Sequence, residues 1–343
     1  VVHLGDGEWM VVDSCTPGGQ DTPIALTYLE SLGVDVRSQV VLIVVTHWHD
    51  DHIGGMAKVL KRAERAKFVC SAALRSEEFL TLVAGDREVM LVEQSSGVRE
   101  FSSILEVLEG RPNTRGAWGP DQWAAEGMCL YQRSGSYPIK VSALSPSAQT
   151  ITDGHRSLAD EVPRAGEAIR RFRHPNPNDL SVVLKISTPS IQFLLGGDLE
   201  VSGSTRHGWR AVLASDTVPE GQAAIFKVAH HGSKNADFPQ IWEDMLVEQP
   251  YAVLSPYAKL RNPLPTDADV ARMKRYTDHL YCTTWPPTKS PKPRNPAVMR
   301  TMRETVRANW AIPDTMGQVR LRVSHHGDHA DVGLELINGA KQL

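Results

Sequence analysis

The sequence of 343 residues predicts an α/β fold followed by a small C-terminal extension. Three observations carry that expectation. Strand-like and helix-like periods alternate across residues 1–284. The run Val40-Val41-Leu42-Ile43-Val44-Val45 is continuously apolar, as expected of a strand covered on both faces. The stretch 286–296, PPTKSPKPRNP, is Pro-rich and basic, the signature of an extended, solvated linker. The division predicted is therefore 1–284 as one domain and 285–343 as linker and small α+β extension.

The elements follow in order. Residues 1–15 read as a hairpin, because Gly5-Asp6-Gly7 separates two apolar runs. Thr22 to Leu32 places Ile24, Leu26, Leu29 and Leu32 near helical period and ends at Gly33. The strand 40–45 then delivers Thr46 to His52 at its end, and Gly54-Gly55 opens a helix. Phe68-Val69-Cys70 is a short strand. Residues 71–175 are harder to read: helical patches at 72–83 and 104–108, a strand at 139–144, and an irregular insertion over 147–178. Strands are expected at 181–186, 191–195, 223–228, 252–255 and 280–282, with a helix at 270–276. Past the linker, a helix at 297–309 precedes strands at 318–324 and 331–337.

Composition excludes more than it selects. Lys and Arg number 37 against 40 Asp and Glu, a net charge of −3 that marks no general polyanion binder but leaves room for a local basic groove. No apolar run reaches the ~18 residues a membrane helix needs, so no membrane partner is expected. Four dispersed cysteines, with no CxxC pair, argue against a disulfide framework or a thiolate metal site and suit a reducing, cytoplasmic setting.

The chemistry concentrates in Thr46-His47-Trp48-His49-Asp50-Asp51-His52. Imidazole nitrogen and carboxylate oxygen are preferred ligands of zinc and similar ions. In extended backbone His47 and His49 project to one side and can grip one ion together. Asp51 and His52 then face a second position as the chain turns into a helix. Trp48 points the other way, toward the core or, as the second reading, the wall of the substrate cleft.

This segment resembles the HxHxDH signature of the metallo-β-lactamase superfamily. Asp13, at the end of an early strand, resembles that family's strand-end Asp. The run NDLSVVLKI, then FLLGGD, then KVAHHGS is similar to the hydrolase domain of ComEC-type competence proteins. The resemblance implies a four-layer αββα sandwich holding two divalent ions, zinc or manganese. It implies His47 and His49 on the first ion, Asp51 and His52 on the second, and Asp198 bridging. Either His230 or His231 completes the second ion. His231 is favoured as ligand, with His230 as an outer-shell group or proton donor. Asp51 and His230 are thus the candidate catalytic residues. The first ion usually gains a His about twenty residues before the bridging Asp; here Asp179 stands nearest that place, with His174 as the alternative. Relatives also carry a Gly-His-Pro near the position of Asn262-Pro263, which this chain lacks. They begin with a further strand, so the native first strand is expected to be missing from this sequence.

Two close ions activate water and stabilise developing negative charge, which suits hydrolysis. The first reading is a phosphodiesterase or nuclease acting on DNA or a nucleotide-like substrate. Ser233, Lys234 and Lys227 beside the late His motif, and Arg164, Arg170, Arg171 and Arg173 in the 147–178 loop, would meet phosphate. The second is hydrolysis of a carbonyl bond: lactone, thioester or amide. The third is a metal-binding subunit of a defence or DNA-uptake complex, docking a partner or a second copy through 285–343. The tail motif His325-His326-Gly327-Asp328-His329 is read as an exposed hairpin loop.

Overall fold

The computed structural model describes every residue except 17–20, 76–95, 112–119, 162–175, 258–262, 285–316 and 327–328. The chain groups into two compact units, one of residues 1–189 and 194–220, the other of 190–193 and 221–343. The expected linker and the helix at 297–309 lie outside the described residues.

In the first unit β1 (Val2–Gly5) and β2 (Glu8–Val12) form the hairpin that Gly5-Asp6-Gly7 predicts. Helices α1 (Ile24–Ser31) and α2 (Val36–Gln39) lead into β3 (Val40–Val45). The turn after β3 holds α3 (Asp50–Ile53) and α4 (Met56–Arg62), and β4 (Lys67–Ser71) follows. Strands β2, β3 and β4 are parallel, and β5 (Gln122–Ala124) extends the sheet to the order β1-β2-β3-β4-β5. Val40, Leu42, Ile43, Val44 and Val45 are fully buried, as a doubly covered strand requires. Strands β6 (Cys129–Arg133), β7 (Ile139–Ala143) and β8 (Leu184–Ser187) form an antiparallel ladder in the same unit.

Two helices of this unit exceed their sequence signal. Helix α5 (Ser96–Glu109) buries Phe101, Ile104, Leu105 and Leu108, the i, i+3, i+4, i+7 face, although only its last two turns stand out in sequence. The expected irregular insertion over 147–178 begins instead with α6 (Ala148–Glu161). Its apolar residues are too few to announce a period: Leu158 is buried, and Gly154 sits close to Leu180 and Ala73. Ser147 caps its start by accepting the Thr150 N–H at 3.2 Å.

The chain leaves the first unit at β9 (Gln192–Leu195), returns for α7 (Gly208–Ala214) and then builds the second unit. There β10 (Ala223–Lys227), β11 (Leu246–Leu254) and β12 (Leu280–Cys282) are parallel, with α8 (Pro239–Asp244) and α9 (Asp267–Met273) in the crossovers. Strands β13 (Gln318–His326) and β14 (His329–Ile337) form the tail hairpin; His325, His326 and His329 belong to its paired strands and not to the loop expected over 325–329, because the ladder continues to His326↔His329. The last strand, β15 (Lys341–Gln342), pairs antiparallel with β12, so the C-terminal segment is stitched into the unit's main sheet. Among the described residues no helix is long and apolar enough to cross a membrane.

Two stability predictions follow from this packing. Phe101 is fully buried in the core of the first unit. Phe101→Ala should cost about 3–5 kcal/mol in denaturant unfolding; a loss under ~1 kcal/mol would show that α5 does not pack as described. Asp269 closes the capping box of α9 with Thr266. Burial opposes its ionisation, but hydrogen bonds from Arg272 and Thr266 outweigh that and hold its carboxyl below the ordinary 3.8. Its folded value is the lower one, so its stabilisation is present above the unfolded value and fades as pH falls through the folded value. Unfolding free energies measured from neutral to strongly acidic pH should show a shallower acid decline in Asp269→Asn than in the parent.

Candidate metal centre

The site of the first unit is built where β2 and β3 end. Asp13 follows β2 in a left-handed conformation, φ 57°, which Asp tolerates better than most residues. Its backbone N–H still pairs with Val44 O at 2.9 Å, so it remains moored to β3. Its carboxylate accepts the Thr46 backbone N–H at 2.8 Å, the Thr46 hydroxyl at 2.8 Å and the His52 Nδ1–H at 2.7 Å. Because the Thr46 hydroxyl gives its proton to Asp13, Thr46 Oγ1 is left to accept from His47 Nδ1, 3.0 Å away. Both imidazoles therefore turn Nε2 toward the centre.

His47 Nε2 lies 3.0 Å from His49 Nδ1 and 3.9 Å from Asp198 Oδ2. His52 Nε2 lies 3.2 Å from Asp198 Oδ1 and 3.7 Å from Asp51 Oδ2. The donor atoms of His47, His52 and Asp198 all fall within 4.8 Å of one another. Ligand atoms at about 2.0–2.2 Å from a divalent ion fit such a spread. Two imidazole nitrogens and a carboxylate are the donor set that zinc and similar ions prefer. Burial lowers the basicity of His47 well below its usual range, and the neighbouring His52 adds to this against Asp198. Burial also opposes the charged form of His52, yet Asp198 and Asp13 outweigh it and hold that imidazole well above its usual value.

Asp198 is placed by a close approach of backbones. Gly197 is left-handed at φ 51°, and a Cβ there would stand 2.5 Å from Ser181 Oγ and 2.9 Å from Val182 O. The Asp198 N–H donates to Ser181 Oγ at 3.0 Å, and Val182 N–H donates to Thr46 O at 3.1 Å. One buried serine thus ties the Asp198 turn to the segment beside the histidine loop. On its other side the loop meets α5. A Cβ on Gly97 would stand 2.0 Å from Trp48 O, and Glu100 accepts the Ala57 N–H at 2.9 Å. Trp48 itself is buried in the core, on the side the alternation predicts.

Residues 1–92 match the family model of the Metallo-beta-lactamase superfamily. The mixed architecture of several sheets and helices is consistent with the metallo-β-lactamase fold. Among solved structures, a subclass B3 metallo-beta-lactamase isolated from a soil metagenome library is similar at 15% identity and TM-score 0.27. That match covers 60% of this chain and 65% of the other, just short of two thirds of its length. No curated protein matches the sequence.

The structure brings His47, His49, Asp51, His52 and Asp198 together. Asp179 is exposed in the short 3-10 turn Pro177–Leu180. Partial burial raises its carboxyl above the ordinary value, Glu200 adds to this and His207 opposes it, so those are its charged surroundings. Arg164, Arg170, Arg171, Arg173 and His174 lie outside the described residues.

In the second unit, His230 and His231 share a turn with left-handed φ of 44° and 55°, followed by Gly232 at 79°. Each non-Gly residue held this way costs about 1–3 kcal/mol, so the surroundings must over-determine the turn. His231 Nδ1 donates to Ser255 O at 2.9 Å and its ring stacks on Tyr257 at 5.1 Å, which leaves Nε2 as its acceptor. Ser233 follows and makes a close hydrogen bond to Asn235; Lys234 starts the next short turn. The supporting roles of Thr46, Ser181, Gly97 and Glu100 were not read from the sequence. Only Thr46 and Ser181 carried a signal, each adjoining a recognised motif.

Asp13→Asn removes the charge that fixes both imidazoles. It should weaken zinc binding 10–100-fold by calorimetric titration while the protein stays folded; unchanged affinity would show that the carboxylate does not orient the ligands.

Proposed function

We propose that the chain is a divalent-metal-dependent hydrolase of the ComEC-type branch, a phosphodiesterase or nuclease acting on DNA or a nucleotide-like substrate. The observation that carries this reading is the convergence of His47, His52 and Asp198, with His49 and Asp51 beside them, where β3 and β9 end. Divalent ions in such a donor set lower the pKa of water and stabilise developing negative charge. Zinc is the first choice and manganese the second, since the donors are nitrogen and oxygen only.

In this reading His47 and His49 hold one ion, Asp51 and His52 the other, and Asp198 lies between them. Asp13 and Thr46 keep the two imidazoles in the ligating tautomer. His231 contributes its Nε2 to the second ion, and Asp179 or His174 completes the first. His230 gives a proton to the leaving oxygen. Ser233, Lys234 and Arg173 bind phosphate oxygens. Phosphodiester is favoured over carbonyl because the second ion's donors are carboxylate and imidazole without cysteine, and because cationic side chains flank the late histidine motif. Residues 285–343 dock a partner or a second copy, and the protein acts in the cytoplasm.

The test is a hydrolysis panel of DNA, RNA, cyclic nucleotides, a model phosphodiester, a lactone and a thioester, run on zinc- and manganese-loaded protein. Turnover of a phosphodiester is expected, falling at least ~100-fold in His47→Ala and in Asp198→Ala. Turnover confined to the lactone or thioester would replace the reading with carbonyl hydrolysis, and silence across the panel would remove it.

A further inference from the structure

We infer that Arg272 is a positioning residue for the His231 imidazole, acting through the backbone of the turn that carries it. This rests on the proposed reading of His231 as a metal ligand. Arg272 lies on α9, forty residues beyond Gly232 in sequence. Its Nη2 donates to Gly232 O at 2.8 Å, at the end of the run of three left-handed residues. Its other N–H groups go to two carboxylates. Nη1 donates to Asp269 Oδ1, and Nε makes a close contact with Asp237 Oδ2. Each carboxylate is fixed in turn: Asp269 by Thr266 in the capping box, Asp237 by the Trp242 indole N–H at 2.7 Å.

The guanidinium is thus clamped on both flanks and presents its third nitrogen, Nη2, to a single carbonyl. A planar fork meets three fixed acceptors from three separate nitrogens, whereas a lysine ammonium must reach them all from one nitrogen on a flexible stem. The need for the clamp is plain in the turn. His230 and His231 occupy a backbone region that side-chain-bearing residues avoid, and release would let the peptide relax toward the right-handed region. Relaxation would rotate the His231 ring off its two other supports, Ser255 O and the Tyr257 ring, and move Nε2. Arg272 therefore sets the direction of a nitrogen it never touches.

The experiment compares full-length parent, Arg272→Lys, Asp237→Asn and His231→Ala by cobalt(II) titration. The visible d–d absorption reports the ligand set, and circular dichroism melts report the fold. Arg272→Lys is expected to weaken cobalt binding at least tenfold and to shift the spectrum toward that of His231→Ala, while the protein remains folded. Parental affinity and spectrum in Arg272→Lys, with only a lower melting temperature, would overturn the inference and leave Arg272 a purely structural residue. If His231→Ala itself binds cobalt like the parent, the ligand reading fails and the inference with it. If His231→Ala is impaired and Arg272→Lys is not, only the inference fails. Should Arg272→Lys not fold, Asp237→Asn decides: a smaller shift in the same direction supports the clamp, and parental cobalt binding refutes it.

Discussion

The centre of the first unit depends on one carboxylate with three donors. Asp13 accepts a backbone N–H and a hydroxyl from Thr46 and an imidazole N–H from His52. The carboxylate is only partly buried, and three donors converging on it make it a rigid hub. Through Thr46 it sets the tautomer of His47, and directly it sets that of His52. The sheet's role is to bring the ends of β2 and β3 close enough for this to happen, and the Asp13–Val44 backbone bond holds them there. The strand core, the helix contact at Gly97 and the Ser181 link all serve to keep that hub still.

The second unit solves a similar problem with different parts. There the imidazole is fixed by a carbonyl and an aromatic face, and the turn beneath it by an arginine held between two acids. In both units the ring is oriented through Nδ1, leaving Nε2 for chemistry. In both, a side-chain-bearing residue with positive φ sits at the pivot: Asp13 in one, His230 and His231 in the other. Strain of this kind persists only where hydrogen bonds on several sides agree on one geometry.

Local sequence carried the histidine cluster, the buried strand 40–45, the hairpins and the short parallel strands, because each has a period or a turn signal of its own. It did not carry the full length of α5 or the existence of α6. Helix α6 has few buried apolar residues and owes its placement to Gly154 fitting against Leu180 and Ala73, contacts made across long sequence separations. Gly97 and Arg272 were illegible for the same reason. A glycine whose missing Cβ makes room for Trp48 O, or an arginine whose carbonyl partner lies forty residues away, looks ordinary until the fold brings the two together. Asp13 stood out because strand-end position and family likeness coincide there.

The hydrogen bonds that aim the imidazoles come from the protein's own groups, and this separates two events that small metal domains merge. Where ligands are ordered only by the ion, removing it unfolds the chain, and binding free energy is folding free energy. Here Asp13, Thr46, Ser181 and the buried strand ends order the ligands from within. An ion entering such a scaffold would meet a finished socket, so that its removal by a chelator would leave the chain folded.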